Sequence, residues 1–361
     1  MRMRRIAAVF LSTLLICFVL FLISDSGSAE SPAAGKPGPE VSDGVGTAVI
    51  MTGAAARITQ QVALLEELHN RDLLDDLVFI SGVSAGAINA VALNAIVEQK
   101  ITWKDYKDLL FGIENHDIFN LSKNKKLPVD TEPIRKLLQE FVEDRLGYHS
   151  IGDLPLMTEI SFTRRQPWIK KDVYRMCSRK INEESDTTLS LVDILMASTA
   201  IPIAFPPQRV EDVITIPDRQ YIDGGAGIDY VPFQALLDFQ KFREKSVKRV
   251  YIISRKTEIG SVSEELEVIG IESRALDRFG NSFDHLMKKH LINRLTAFAK
   301  EAPEMILKSY VWIPDFDQDF LLFNFNNLEE QYTITKSWAR VNDPLPLGDY
   351  LLFNKLSKKE R

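Results

Sequence analysis

The sequence predicts an α/β protein with a mostly parallel central sheet, for three reasons. Continuous apolar runs at Thr47–Met51 and 77–80 are typical of strands that are buried on both faces. Each run is followed by apolar residues at helical spacing, first over 58–68 and then over 88–95. Strands and helices that alternate with short turns between them predict parallel strands joined by right-handed crossovers.

The elements that follow are less regular. Apolar residues at helical spacing predict a helix over 134–142, with Thr131 as its cap, Pro133 in its first turn and Gly147 at its end. Ser190 and Asp193 form a capping-box pattern that begins a short helix, which Pro202 ends. The remaining predicted elements are a strand pair at 156–162 and 173–177, strands at 221–222, 250–253 and 310–313, and a mostly helical region over about 264–308.

Composition narrows the class of protein. The 361 residues are 45% hydrophobic and 26% charged, which excludes a wholly disordered chain. The net charge of −6 argues against a general nucleic-acid binder. Cys17 and Cys177 are the two cysteines, and they form no C-x-x-C pair, so a cysteine-based zinc site is excluded.

The N-terminus reads as a targeting segment. Three arginines precede residues 6–24, which carry no charge and are intermediate in length between a signal-peptide core and a membrane span. Small residues at 27–29 suit a cleavage site, so residues 1–29 are either a signal peptide or a signal anchor. Both alternatives place the rest of the chain outside the cytoplasm, either released or tethered. Residues 30–46 are rich in Ser, Ala, Pro and Gly and are predicted to be a flexible linker.

The most informative motif is G-x-S-x-G at the junction of the second strand and the second helix. Gly82 and Gly86 flank Ser84 and permit a tight turn with a strained central residue. Such a turn exposes the serine hydroxyl, and the following helix N-terminus stabilises an oxyanion beside it. Ser84 is therefore predicted to be a nucleophile for acyl transfer.

A nucleophilic serine needs a base. Asp223 directly follows a predicted strand and precedes Gly224 and Gly225, so its carboxylate is expected to project at an end of the sheet. A carboxylate can accept the serine proton directly when it is desolvated and within hydrogen-bond reach. None of the five histidines lies in a comparable turn.

Four blocks in order make the chain resemble the patatin-like phospholipases over about residues 46–239. They are the loop at 51–57, the Ser84 turn, the A-S-x-A-x-P-x-x-F-x-P run at 197–207, and the Asp-Gly-Gly at 223–225. The resemblance implies a three-layer α/β/α fold with a helical C-terminal extension. It implies a catalytic domain over 47–239, completed by a mostly helical extension over 240–361.

The resemblance also implies a function. Members of this family use a Ser–Asp dyad without histidine, so Ser84 is expected to be the nucleophile and Asp223 its proton acceptor. The implied activity is lipid acyl hydrolysis through an acyl-enzyme, with no metal or other cofactor. The expected partners are a lipid or phospholipid substrate and a membrane surface, with no nucleic acid. A basic cluster around Trp168 in the predicted strand connection is compatible with anionic headgroups, although a solvated hairpin tip is the simpler interpretation.

The first block departs from the family pattern G-G-G-x-[RK]-G, whose backbone N–H groups form the oxyanion hole. Gly53 and Arg57 match that pattern, whereas Ala54 and Ala55 replace two glycines and Ile58 replaces the last. Gly53, Ala54 and Ala55 still offer three backbone N–H donors. A positive φ at either alanine would bring strain of about 1 kcal/mol or more and could misdirect the donors. Loss of one such donor reduces turnover by roughly 100-fold or more.

Two other functions remain open on the sequence. One is a conventional α/β-hydrolase esterase that uses Ser84, Asp223 and either His285 or His290, since that chain order suits the fold. In such enzymes, however, the nucleophile turn usually follows several more strands. The other is a catalytically silent lipid-binding protein, which the altered oxyanion loop would explain.

Overall fold

Eight strands form one sheet in the computed structural model. They are β1 (Thr47–Met51), β2 (Leu77–Gly82), β3 (Met157–Arg164), β4 (Val173–Cys177), β5 (Tyr221–Asp223), β6 (Arg249–Ile253), β7 (Ser309–Trp312) and β8 (Leu345–Pro346). Their order is β4–β3–β2–β1–β6–β7–β8, with β5 paired to β3. Strands β1, β2, β3, β6 and β7 run parallel, while β4, β5 and β8 run antiparallel to their neighbours.

The structure describes residues 45–120, 127–164, 173–183, 185–210, 220–257 and 271–356, and for 271–285, 355 and 356 it describes the backbone only. These residues lie within one compact unit that spans Asp43–Arg361. The predicted signal or anchor over 1–29, most of the 30–46 linker and the Trp168 cluster apart from Arg164 lie outside the described residues. No helix in these ranges is both long enough and apolar enough to cross a bilayer.

Ten α-helices are described around the sheet. They are α1 (Ile58–Asn70), α2 (Ala85–Val97), α3 (Trp103–Phe111), α4 (Asn115–Ile118), α5 (Glu132–Leu138), α6 (Leu191–Ser198), α7 (Gln234–Arg243), α8 (Ile271–Glu301), α9 (Leu328–Ala339) and α10 (Leu347–Leu356). The predicted α/β order of the elements is confirmed.

Apolar side chains of the central strands are buried on both faces of the sheet. In β1, Ala48 and Ile50 belong to one buried cluster, whereas Val49 and Met51 belong to a second. This alternation follows from the pleat, which points successive side chains to opposite faces. Helices cover both clusters, so the predicted three-layer α/β/α arrangement is confirmed.

Two local predictions need correction. The helix after Pro133 does not continue as an α-helix to Gly147, because it changes to a π-helix at Gln139–Arg145, and Thr131 makes no side-chain capping bond. At α6, the Ser190 hydroxyl accepts the Asp193 N–H at 3.2 Å. In a full capping box the Asp193 carboxylate would accept the Ser190 N–H in return. Here it accepts a hydrogen bond from the Arg135 guanidinium instead, at 2.7 Å.

Strand β3 is the element that positions the site. Its pairing with β2 begins where Met157 pairs with Phe79 and ends where Ile160 pairs with Gly82. Beyond that point Phe162 pairs with Asp223 of β5. Because β4 occupies the opposite edge of β3 over the same residues, β2 and β5 share one edge and lie end to end along it. The turn after β2 and the end of β5 therefore meet at the carboxyl-terminal rim of the parallel strands.

Candidate active site

Ser84 sits on the sharp turn between β2 and α2. Its backbone has φ 58° and ψ −129°, and the residue is only 3% exposed. A positive φ is uncommon for a residue with a side chain and stores strain of about 1–3 kcal/mol. The predicted strained conformation at the centre of the G-x-S-x-G turn is therefore present.

The two glycines of this turn allow backbone segments to approach closely. A Cβ on Gly82 would lie 2.3 Å from the Gly86 carbonyl oxygen. A Cβ on Gly86 would lie 2.6 Å from the carbonyl oxygen of Thr52 at the end of β1. A side chain at Gly86 would force the turn away from the end of β1, whereas one at Gly82 would push apart the two ends of the turn itself.

Asp223 ends β5 and faces the Ser84 turn. Its carboxylate lines the same cleft as Ser84, close enough for the Ser84 hydroxyl to lower its pKa, and the residue is 4% exposed. The Asp223 Oδ1 also accepts the Gly225 N–H at 2.7 Å. Its own N–H donates to the Ala200 carbonyl at 3.0 Å. The two residues that the motifs predicted as partners, 139 positions apart in sequence, thus lie side by side in one cleft.

Burial raises the pKa of Asp223 from its ordinary value of 3.8 to about 7. The hydrogen bonds from Ser84, Gly225 and Ala226 act in the opposite direction, because they favour the charged carboxylate. A carboxylate with a pKa near 7 is a much stronger base than an exposed one. The site therefore offers a hydroxyl next to an acceptor suited to take its proton near neutral pH.

The predicted oxyanion loop lies beside this pair. A Cβ on Gly53 would lie 3.4 Å from the Ser84 Cβ, so the backbone at Gly53 passes directly against the serine. Ala55 has φ 46°, whereas Ala54 has φ −134°. One of the two substituted glycine positions thus does require a left-handed backbone. The N–H groups of Gly53, Ala54 and Ala55 donate to no acceptor within the described ranges, which leaves them free for a ligand.

Arg57, which matches the basic position of the family loop pattern, points away from the cleft. Its Nε donates to the Phe320 carbonyl at 3.0 Å, and its Nη1 donates to the Lys256 carbonyl at 3.1 Å. The guanidinium is fully buried. Arg57 therefore ties the loop to two segments of the C-terminal extension, and its role in this structure is support.

Ser84 lies where two cavities join. An apolar cavity extends from Ser84 between α2, α3 and α5. A smaller cleft contains Asp223 and the 53–55 loop. Ala55, Ser84 and Ile201 line both. One side of the serine is thus apolar and the other side carries the polar groups.

The histidines do not contribute to either cavity within the described side chains. His290 contacts the Gly227 carbonyl oxygen at 3.0 Å, and its ring packs at 6.0 Å from that of Tyr230. His69, His116 and His149 are exposed. The side chain of His285 lies outside the described residues. The His-dependent alternative therefore gains no support from this geometry.

Sequence reasoning gave no role to three residues that the structure brings to the site. Tyr230 and Arg255 line the smaller cleft, and Ser198 donates and accepts hydrogen bonds immediately behind Ser84. Ser198 lies in the 197–207 run, so the resemblance marked its segment without marking its function. No sequence signal marked Tyr230 or Arg255. In the described ranges, no group of three or more His, Cys, Asp or Glu residues is placed to hold a metal ion.

Comparison with solved structures finds distant matches. VipD from Legionella pneumophila matches with 12% identity and a TM-score of 0.39, covering 81% of this chain and 67% of that one. Human GIVD cytosolic phospholipase A2 matches with 10% identity and a TM-score of 0.37, covering 64% and 48%. ExoU–SpcU from the type III secretion system of Pseudomonas aeruginosa matches with 15% identity and a TM-score of 0.31, covering 73% and 59%.

No curated protein matches the sequence. The profile that describes the patatin-like phospholipases matches residues 48–237, which is more than half of the chain. The matched region contains the Ser84 turn, the 197–207 run and Asp223, and it supports a lipid hydrolase function. The chain belongs to the patatin-like phospholipase family.

Proposed function

We propose that this protein hydrolyses carboxylic esters of lipids through an acyl-enzyme formed on Ser84, with Asp223 as the base. The observation that carries the proposal is that the Ser84 hydroxyl lies beside a buried carboxylate, at the junction of an apolar cavity and a smaller cleft. A nucleophile beside an activated base is the arrangement that covalent acyl transfer needs.

In the first half of the reaction, Asp223 accepts the hydroxyl proton as the Ser84 Oγ attacks the ester carbonyl carbon. The carbonyl oxygen becomes an oxyanion, and the N–H groups of Gly53, Ala54 and Ala55, which line the same cleft and have no acceptor within the described ranges, stabilise it. The C–O bond to the alcohol then breaks, and the alcohol takes the proton from Asp223. The product is an acyl ester of Ser84.

In the second half, water attacks the acyl carbon and Asp223 accepts its proton. The bond to Ser84 Oγ breaks, the serine recovers the proton, and the fatty acid leaves. The apolar cavity is the site for the acyl chain, because it begins at Ser84 and its walls are almost entirely hydrocarbon. The leaving alcohol then occupies the polar cleft.

The proposal is tested by hydrolysis of 4-nitrophenyl octanoate and of phosphatidylcholine in mixed micelles. We expect activity in the wild type and its loss in Ser84→Ala and Asp223→Asn. Ser81→Ala is the matched control, because Ser81 is a buried serine three positions away whose hydroxyl donates to the Pro232 carbonyl at 2.8 Å, outside the cleft. An inactive wild type would favour the silent lipid-binding alternative. Equal activity in wild type and Ser84→Ala would exclude Ser84 as nucleophile.

We also propose that the catalytic domain acts outside the cytoplasm. The uncharged run at 6–24 behind three arginines supports this. Cell fractionation with N-terminal sequencing tests it: a mature chain that begins near residue 30 indicates cleavage, and a full-length membrane-bound chain indicates an anchor. Full-length protein in the cytoplasmic fraction would contradict both.

A further inference from the structure

The Ser198 hydroxyl connects the nucleophile turn to the central sheet. It accepts the Ser84 backbone N–H at 2.9 Å and donates to the Ser161 carbonyl at 2.8 Å. Ser198 ends α6 and is completely buried. A single side chain therefore joins the backbone of Ser84, which is held at a positive φ, to strand β3.

The same region of β3 holds the base. Phe162, the residue after Ser161, pairs with Asp223. Gly224 packs so closely on Ser161 that a Cβ there would lie 2.7 Å from the Ser161 carbonyl oxygen. Two residues after Ser198, the Ala200 carbonyl accepts the Asp223 N–H at 3.0 Å. Residues 198–200 thus bond the nucleophile on one side and the base on the other.

We infer that Ser198 is a positioning residue that sets the distance between the Ser84 hydroxyl and the Asp223 carboxylate. This inference rests on the proposed function, because the distance matters only if the pair reacts. Ser198 lines neither cavity, so its effect passes through Ser84. The serine hydroxyl suits this role because it accepts one hydrogen bond and donates another at the same atom.

Removing the hydroxyl leaves the Ser84 N–H and the Ser161 carbonyl without their partner in a buried location. The strained turn then loses its tie to β3, and the Ser84 hydroxyl is free to shift relative to Asp223. A displacement of about 1 Å of a reacting group can cost about 100-fold in rate. We therefore expect kcat to fall by about 100-fold in Ser198→Ala, with KM changed by no more than roughly threefold.

The pH profile supplies a readout that a general loss of stability would not move. The Ser84 hydrogen bond lowers the pKa of Asp223, so weakening that bond lets burial raise the pKa further. The acid limb of kcat/KM should consequently move to higher pH. Tyr230 and Arg255 are the other ionisable groups of this cleft, and the substitution alters neither.

Ser178 provides a matched control. Its hydroxyl accepts the Thr158 N–H at 2.9 Å and donates to the Leu156 carbonyl at 2.8 Å, and it is equally buried. Like Ser198, it accepts one backbone N–H and donates to one backbone carbonyl. Its partners, however, lie at the start of β3, at the rim of the sheet opposite the site. Ser178→Ala should cost similar stability and leave catalysis intact.

The experiment compares kcat, KM, the kcat/KM pH profile and Tm of full-length wild type, Ser198→Ala and Ser178→Ala on 4-nitrophenyl octanoate. Low kcat and a shifted acid limb in Ser198→Ala alone, at similar Tm losses, support the inference. Equal kinetics in the two variants would overturn it, while an active wild type would leave the proposed function standing. An inactive wild type would overturn both. Should Ser198→Ala fail to fold, Ser198→Cys, whose thiol is a weak donor and acceptor, is used with the same expectations.

Discussion

At the scale of single residues, the chemistry follows from where Asp223 is buried. Desolvation raises the pKa of its carboxyl to about 7, and three hydrogen bonds to the carboxylate limit that rise. The Ser84 hydroxyl is one of the groups that lower this pKa, so in the proposed mechanism the nucleophile also adjusts the pKa of its base. In the proposed mechanism no histidine is needed, because burial raises the pKa of the Asp223 carboxylate enough for it to serve as the base.

The pH dependence of activity follows directly. Asp223 must be ionised to accept a proton, so kcat/KM should fall about tenfold per pH unit below pH 7 and level off above it. The measurement is kcat/KM on an uncharged 4-nitrophenyl ester between pH 5 and pH 9. A profile that stays flat down to pH 5 would show that Asp223 does not act as the base.

The free energy of unfolding should change with pH in the opposite direction to activity, because protonated Asp223 stabilises the folded protein. The pKa of Asp223 is 3.8 when unperturbed and about 7 in the folded protein, so its contribution is fully present below pH 3.8 and is lost as the pH rises through 7. Asp223→Asn removes this loss, and a shift of about three pH units corresponds to about 4 kcal/mol. Denaturant unfolding at pH 4 and pH 8 should show the variant gaining on wild type at pH 8. An unchanged gap would contradict the raised pKa.

The two alanines of the oxyanion loop make a matched pair. Ala55 has φ 46° and Ala54 has φ −134°, so only Ala55→Gly relieves backbone strain. Both variants gain the flexibility of glycine in the unfolded state. The free energy of unfolding should therefore be about 1 kcal/mol higher in Ala55→Gly than in Ala54→Gly. A smaller value for Ala55→Gly would mean that the loop bears no strain there.

Single residues differ in how far a sequence predicts them. Ser84 and Asp223 were predictable because tight turns require glycine neighbours, and those glycines lie next to them in the sequence. Ser198 could not be assigned in this way, since its bond to Ser84 spans 114 positions and depends on packing in three dimensions. The sequence predicted strain if either Ala54 or Ala55 had a positive φ, but only the structure shows that Ala55 is the one that does.

At the scale of elements, the strands were predicted more closely than the helix ends. Continuous apolar runs identify strands that are buried on both faces, and β1, β2 and β6 lie where those runs are. The change of α5 into a π-helix has no periodic signature. It places Phe141 against Tyr106, whose rings stack at 5.6 Å in the wall of the apolar cavity. Helices α2, α3 and α5 together form the walls of that cavity, so no single sequence motif could predict it.

The cavity should limit the length of the acyl chain. Leu137 lines it from α5, so Leu137→Trp would fill part of the space. We expect kcat/KM on a palmitoyl ester to fall at least about tenfold more than kcat/KM on a butyryl ester. Leu307→Trp is the control, because Leu307 is 86% exposed. Equal losses on both esters, or equal effects of both variants, would place the acyl chain elsewhere.

At the scale of the whole molecule, the C-terminal extension is part of the sheet. Strand β6 pairs with β1 along its entire length, and β7 and β8 extend the sheet further. Arg57 also depends on carbonyls at Lys256 and Phe320. The family resemblance ends near residue 239. It therefore covers Ser84 and Asp223 but not β6, β7 and β8, which complete the sheet.

A chain that stops at residue 239 should therefore fail to fold. It would leave β1 as an unpaired edge and remove the partners of Arg57. We expect residues 30–239 to show no cooperative thermal transition by circular dichroism, while residues 30–361 unfold cooperatively. A cooperative transition in the shorter chain would show that the extension is an accessory.

The most direct test of the central claim is covalent capture of the nucleophile. A fluorophosphonate probe should label the wild type once, peptide mapping by mass spectrometry should locate the label on Ser84, and labelling should slow strongly in Asp223→Asn. Absence of label on Ser84, or labelling of Asp223→Asn at the wild-type rate, would contradict the claim that this carboxylate activates this hydroxyl.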